Sequence, residues 1–241
     1  MTDPDATRTG GVTRYPDAAV VMISRDEEQA IGRVIDDVRR AVPEADVVVV
    51  DGSSDRTPEI AVAHGARVIR EPGDGPASAL VAALQASDRP VVATVDADNT
   101  YPAELLPAVI ELVRCGFDVV GTDRLGFRRP ATMPAANYLA NRAFNLIASI
   151  RARRRVRDVH SGMRAYRRTV IEEFRWDTQG MALPVDLLLW PVAAGLRVVE
   201  IPIEYRDRIG STTLVRFPGT VWTLRRLLRP FPGDGRRRSE K

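Results

Sequence analysis

Val91-Val92-Ala93-Thr94-Val95-Asp96-Ala97-Asp98-Asn99-Thr100 is the stretch on which the fold turns. Five small or β-branched residues run without a charge into an aspartate, and a second aspartate follows two positions later. An uncharged run of this length reads as a strand buried on both faces, the kind found in parallel sheets covered by helices. Working outward, the pattern recurs. Residues 19–23 and 47–50 are further short apolar runs, and 66–69 and 118–120 also read as strands. Between them Ile31, Val34, Ile35 and Val38 fall at i, i+3, i+4 and i+7, one face of a helix. Further helices are expected from about Pro58, over 78–86 and over 102–114. The alternation predicts an α/β fold with a mostly parallel sheet flanked by helices. In such sheets ligands lie beyond the carboxyl ends of the strands, where Asp51 and Asp96 both fall. No GxGxxG follows the first strand, so a dinucleotide fold has no fingerprint here.

Asp96 and Asp98 are two apart at a strand end, and in extended backbone such side chains point the same way. Two carboxylates aimed into one cleft repel each other unless a cation sits by them. Mg²⁺ or Mn²⁺ takes oxygen ligands, commonly one or two carboxylates completed by substrate phosphates. Asp51-Gly52-Ser53-Ser54-Asp55-Arg56-Thr57 ends the earlier strand in turn and capping chemistry. Asp55 and Thr57 suit a helix cap, whereas Asp51 is placed to accept hydrogen bonds from a nucleobase or ribose.

The second half changes character. Leu139, Ala143, Leu146, Ile147 and Ile150 line one helical face, and a basic run of Arg151, Arg153, Arg154, Arg155 and Arg157 follows. Residues 158–162 read as a loop and 197–203 as a late strand. Residues 217–230 are amphipathic, with Trp222 and leucines beside arginines, suited to an anionic membrane interface. The net charge of +3 is carried almost wholly by arginine, lysine appearing only at Lys241. That fits anionic substrates or a membrane surface, and is too slight and scattered to indicate nucleic acid. The single cysteine, Cys115, excludes an internal disulfide framework and is expected as a packed core thiol. No signal peptide is legible and no apolar run reaches the length of a membrane span. Residues 1–16 are expected to be a disordered tail, 17–216 a catalytic domain, and 217–241 a basic amphipathic helix with a polar tail. A cytoplasmic protein is implied, free or peripheral on the inner face of the membrane.

Taken in order, these segments resemble family-two inverting glycosyltransferases, most closely the polyprenyl-phosphate (dolichyl-phosphate) mannose or glucose synthases. The likeness spans residues 19–216. It rests on Val20-Val21-Met22-Ile23-Ser24-Arg25-Asp26-Glu27-Glu28, on residues 50–57, and on Asp96-Ala97-Asp98-Asn99-Thr100-Tyr101-Pro102. It continues through Gly121-Thr122-Asp123-Arg124, Ser161-Gly162-Met163-Arg164-Ala165, and residues 200–210. The resemblance implies a Rossmann-like GT-A fold, a nucleotide-sugar donor and a polyprenyl-phosphate acceptor. It places Glu27 and Asp51 at the nucleoside, Asp96 by the donor and Asp98 on the metal. Arg124, Ser161, Arg164, Arg206 and Arg208 would then surround the phosphates. The chain departs from the pattern at Ile23 and Arg25, where the family has proline and an aromatic, and at Pro76-Ala77, where it has a basic residue. Pro184 and Asp186 stand where the family often has aromatic and glutamate residues.

A lipid phosphate acceptor is already anionic near neutral pH, its second pKa being about 6, and needs no general base. A hydroxyl acceptor would need one, and Asp186 and His160 are the candidates. The alternatives are therefore a soluble transferase acting on a small-molecule hydroxyl, and a non-catalytic nucleotide-sugar binder.

Overall fold

A computed structural model describes residues 13–73, 75–127, 133–174, 176–177, 182–210 and 216–229. Seven strands, β1 (Ala18–Ser24), β2 (Asp46–Asp51), β3 (Arg67–Arg70), β4 (Val91–Thr94), β5 (Val119–Asp123), β6 (Arg164–Arg167) and β7 (Val198–Pro202), form one sheet in the order β3-β2-β1-β4-β6-β5-β7. All neighbours pair in parallel except β6, which runs antiparallel to both β4 and β5.

Strand residues feed opposite layers alternately. Val20, Met22, Val47 and Val49 join a core under α1 (Ile31–Ala41), α2 (Thr57–Ala63) and α4 (Leu106–Arg114). Ala19, Val21, Val48 and Val50 join a second core under α3 (Pro76–Gln85), α5 (Ala135–Ala152), α6 (Arg168–Glu173), α7 (Leu183–Ala193) and α8 (Arg216–Leu228). This period-two division is what a sheet covered on both faces requires. The run 183–193 is apolar all round because α7 lies between the sheet and α8, with Leu183, Val185, Leu188 and Leu189 fully buried.

Leu139, Leu146 and Ile150 share a face of α5 that points outward, and Phe144, Asn145 and Ala148 face the core. Three expectations need correction. Cys115 is exposed, because α4 ends there in a turn whose next residue, Gly116, has φ of 100°. Helix 102–114 begins as a short 3₁₀ turn, Ala103–Leu105, before the α-helix proper. Within the expected N-terminal tail, Tyr15 is buried and bonds the Pro43 carbonyl through its N–H, while residues 1–12 lie outside the described residues, as does 230–241. Among the described residues no helix is long and apolar enough to cross a membrane.

Candidate functional site

The carboxyl ends of β1, β2 and β4 meet at one edge. Ser24 Oγ and Ser53 Oγ donate to Asp51 Oδ1 at 2.7 and 2.6 Å, and the Ser53 N–H donates to Oδ2 at 3.1 Å. Asp51 thus closes its own turn and is nearly buried. The loops after β1 and β2 are zipped together. The Glu27 N–H donates to Thr57 Oγ1 at 2.9 Å, the Ser54 N–H to Asp26 Oδ1 at 2.9 Å, and Asp26 is held at φ of 56°. Arg25 pairs with Glu71 at 2.7 Å. A Cβ on Gly52 would fall 1.8 Å from that Glu71 carboxylate, so a larger residue there would have to displace the Arg25–Glu71 pair.

The chain leaves the extended conformation after β4, and Asn99 takes φ of 70°. Asp98 therefore sits in a turn rather than alternating along a strand. Its Oδ1 accepts the Thr100 N–H and hydroxyl at 3.0 and 2.5 Å, and its Oδ2 accepts Arg208 at 2.8 Å. The same guanidinium donates to Glu27 Oε1, and Glu27 Oε2 is buried without a partner. Burial above all, offset by Arg208 and reinforced by the charges of Asp98 and Asp96, pushes Glu27 up to about 7. Asp96 accepts no hydrogen bond among the described residues. Burial, then the neighbouring Asp98 charge, holds it well above the usual carboxylate range.

Because β6 runs backwards, the loop preceding it arrives at this same edge. Gly162 lies so close to Asp96 that a Cβ there would stand 2.2 Å from Oδ1. Thr94 Oγ1 donates to the Gly162 carbonyl at 2.7 Å, and the Gly162 N–H donates to the Tyr101 hydroxyl at 2.6 Å. Tyr101 meets Tyr205 edge-on at 5.3 Å. Ser161 Oγ contacts Thr122 Oγ1 at 2.6 Å. Arg124 clasps Asp158 through Nε and Nη2 at 2.7 and 2.9 Å, and that partner keeps the Asp158 carboxyl below its ordinary range despite burial. Arg164 is buried and donates to the carbonyls of Pro184 and Val159. Arg206 makes an exposed pair with Glu104.

Glu27, Asp96, Asp98 and Arg208 are thus brought together, with Arg124 and Arg164 close enough for their charges to act on Asp96. Asp186 stands elsewhere, paired with Arg226 of α8 at 2.6 Å, and burial pushes it up to about 6. His160 Nε2 contacts Thr223 of α8 at 2.9 Å, and burial, then Arg124, holds it down to about 4, so it is neutral at pH 7. Gly162, Tyr101 and Asp158 were not singled out from the sequence. The Ser-Gly step before β6 is the signal that carried Gly162.

The donor set is compatible with a hard divalent cation. It offers only carboxylate oxygens, one of them buried and unpartnered, and a guanidinium stands among them as a surrogate positive charge. No group of three His, Cys, Asp or Glu side chains assembles for a metal among the described residues, so substrate oxygens would have to complete a coordination shell.

Residues 19–175 match the family model for glycosyl transferase family 2. The chain is 46% identical over 206 residues to a dolichyl-phosphate hexose transferase of Haloferax volcanii, covering 85% of this chain and 90% of that one. It is 28% identical over 196 residues to an undecaprenyl-phosphate mannosyltransferase of Micrococcus luteus, covering 76% and 81%. Among solved structures it resembles glucosyl-3-phosphoglycerate synthase of Mycobacterium tuberculosis in complex with Mn²⁺, UDP and phosphoglyceric acid, with a TM-score of 0.70, 22% identity, and 90% and 80% of the chains covered.

Proposed function

Because the chain belongs to glycosyltransferase family 2, and is therefore a nucleotide-sugar-dependent hexosyltransferase, we propose that it moves a hexose from GDP-mannose or UDP-glucose to a polyprenyl phosphate, with inversion, assisted by Mg²⁺ or Mn²⁺. The observation that carries this reading is the meeting of Glu27 and Asp98 on one guanidinium at the carboxyl edge of the sheet, with Asp96 near enough for its charge to act on Glu27. Asp96 and Asp98 would hold the cation, which supplies positive charge to a departing diphosphate. Glu27 and Asp51 would border the nucleoside. Arg206 and Arg208 would turn from their carboxylate partners to phosphate oxygens. Arg124 and Arg164 contribute fixed positive potential from behind, and Ser161 and Gly162 hold the loop that walls Asp96. Rate then comes from positioning and electrostatic preorganisation.

The phosphate acceptor is favoured over a hydroxyl by chemistry as well as by the likeness to the dolichyl-phosphate and undecaprenyl-phosphate transferases. Of the two candidate bases, Asp186 is engaged by Arg226 and His160 by Thr223, while an ionised phosphate needs neither. A lipid acceptor also suits the outer surface. α5 and α8 touch, and they expose Leu139, Leu146 and Ile150 beside Val221, Leu224 and Leu228, flanked by arginines. That face is proposed to rest on the inner leaflet.

The test is transfer of labelled sugar from each donor to a short-chain polyprenyl phosphate, with Mg²⁺ or Mn²⁺, followed by organic extraction. Label is expected in the organic phase. Asp98→Asn should lower turnover by about a hundredfold or more without changing the fold by circular dichroism. Undiminished turnover in that variant, or label found only on water-soluble acceptors, would refute the reading.

A further inference from the structure

A groove of about 350 Å³ opens between α5 and the segment that follows it, and three arginines, Arg142, Arg155 and Arg157, line it. The Arg157 guanidinium faces Asp123 at 3.8 Å, while the Arg157 backbone N–H donates to Glu200 at 2.9 Å. Arg142 and Arg155 have no hydrogen-bond or ion-pair partner among the described residues. Positive charge therefore exceeds negative in a concave site, which is the condition for holding an anion.

The groove is built rather than incidental. Asn145 is buried in its wall, where its amide donates to the Arg157 carbonyl and accepts the Val159 N–H at 3.1 Å. One turn on, Ser149 Oγ donates to the Asn145 carbonyl at 2.6 Å and accepts the Val156 N–H at 3.0 Å. Two polar side chains of α5 thus fasten the basic segment along the helix and fix where its arginines emerge. The groove is also distinct from the transfer site. Thr122 turns towards Ser161, whereas Asp123, the next residue along β5, turns to the groove side.

Its surroundings identify the anion. Leu146 lines the groove and belongs to the exposed apolar stripe of α5, one turn from Ile150. A ligand with a phosphate in the groove would have its remaining bulk beside exposed leucine and isoleucine. We propose that this groove is a second, non-catalytic site that takes the phosphodiester headgroup of an anionic membrane phospholipid and so fixes the orientation of the enzyme on the bilayer. The inference rests on the proposed membrane contact of α5 and α8.

The experiment is co-sedimentation of the full chain with phosphatidylcholine vesicles, with and without phosphatidylglycerol at about one part in four. Three proteins are compared: wild type, Arg142→Glu/Arg155→Glu, and Arg33→Glu/Arg40→Glu, which makes the same charge change on α1 in the opposite layer. Wild type should bind the anionic vesicles alone. The groove variant should lose at least about twenty-fivefold in affinity, from about fivefold for each arginine near an anionic surface, and the α1 variant much less. Equal losses in the two variants would overturn the groove while leaving the membrane contact intact. If wild type binds neither vesicle, the membrane contact fails. The groove is then judged on monomeric dihexanoylphosphatidylglycerol, whose saturable binding must vanish in the groove variant for the site to stand. Inorganic phosphate is titrated alongside, and if it binds as tightly as the short-chain lipid, the assignment to a lipid is wrong. Should the glutamate variant not fold, Arg142→Gln/Arg155→Gln replaces it.

Discussion

Arg208 is the residue on which the electrostatics of the opening depends. Glu27 and Asp98 face each other across its guanidinium, with Asp96 close by, so the arginine relieves repulsion that the carboxylates would otherwise feel. Removing one partner of a largely buried ion pair exposes the uncompensated remainder. Arg208→Gln is therefore expected to lose about 3 kcal/mol of stability in chelator-treated buffer, the low end for a buried pair because Arg208 is partly exposed, and to regain more of it on adding Mn²⁺ than the wild type gains. Thermal unfolding with and without Mn²⁺ measures both effects, and equal Mn²⁺ responses would mean that the guanidinium and the cation do not compete for one place. At this scale the sequence was legible where chemistry is local. Asp96 and Asp98 stand out because two acids directly follow an uncharged apolar run, although Asp98 also closes its own turn on Thr100. Gly162 and Tyr101 did not stand out, because their role arises only when a distant loop folds against Asp96.

Element by element, legibility followed burial. The strands buried on both faces were visible as uncharged runs, and their ends were found to within a few residues. β6 was not, since Arg164–Arg167 is four residues long and carries arginine at both ends. Helix α5 was found but its orientation was not, because its outer face is as apolar as its inner one and periodicity alone cannot say which is covered. Helix α8 is joined to the domain partly through His160, which accepts or donates at Thr223 and packs edge-on against Phe144 at 5.5 Å. A histidine held down to about 4, against an ordinary value near 6.5, stays neutral in the fold while the unfolded chain takes up a proton first. Its contribution to stability is fully present above about pH 6.5 and is lost as the pH falls towards 4. Wild type should lose about 1–3 kcal/mol more than His160→Gln between pH 7.5 and pH 4.5. Urea unfolding at the two pH values checks this, and parallel losses would place the acid sensitivity elsewhere.

At the scale of the whole molecule, the sheet separates two surfaces of different character. One layer carries α1, α2 and α4, the other carries α5 and α8 with their outward leucines. The single reversed strand is what lets the candidate site draw on both halves of the chain: β4 ends and β6 begins at the same margin, so residues 158–163 face the acids of 96–98 although some sixty positions separate them. Nothing in local periodicity announces which strand is reversed, which is why the sequence supported a mostly parallel sheet without identifying β6 as the exception. The exposed thiol at the end of α4 turns this layering into a ruler. Cys115 is the lone cysteine, so a fluorophore coupled to it marks one known point on the far side of the sheet from the leucine stripes. With the chain seated on vesicles as proposed, the dye should remain open to aqueous iodide and beyond reach of a quencher buried among the acyl tails. The opposite pattern would mean that the molecule lies on its other side.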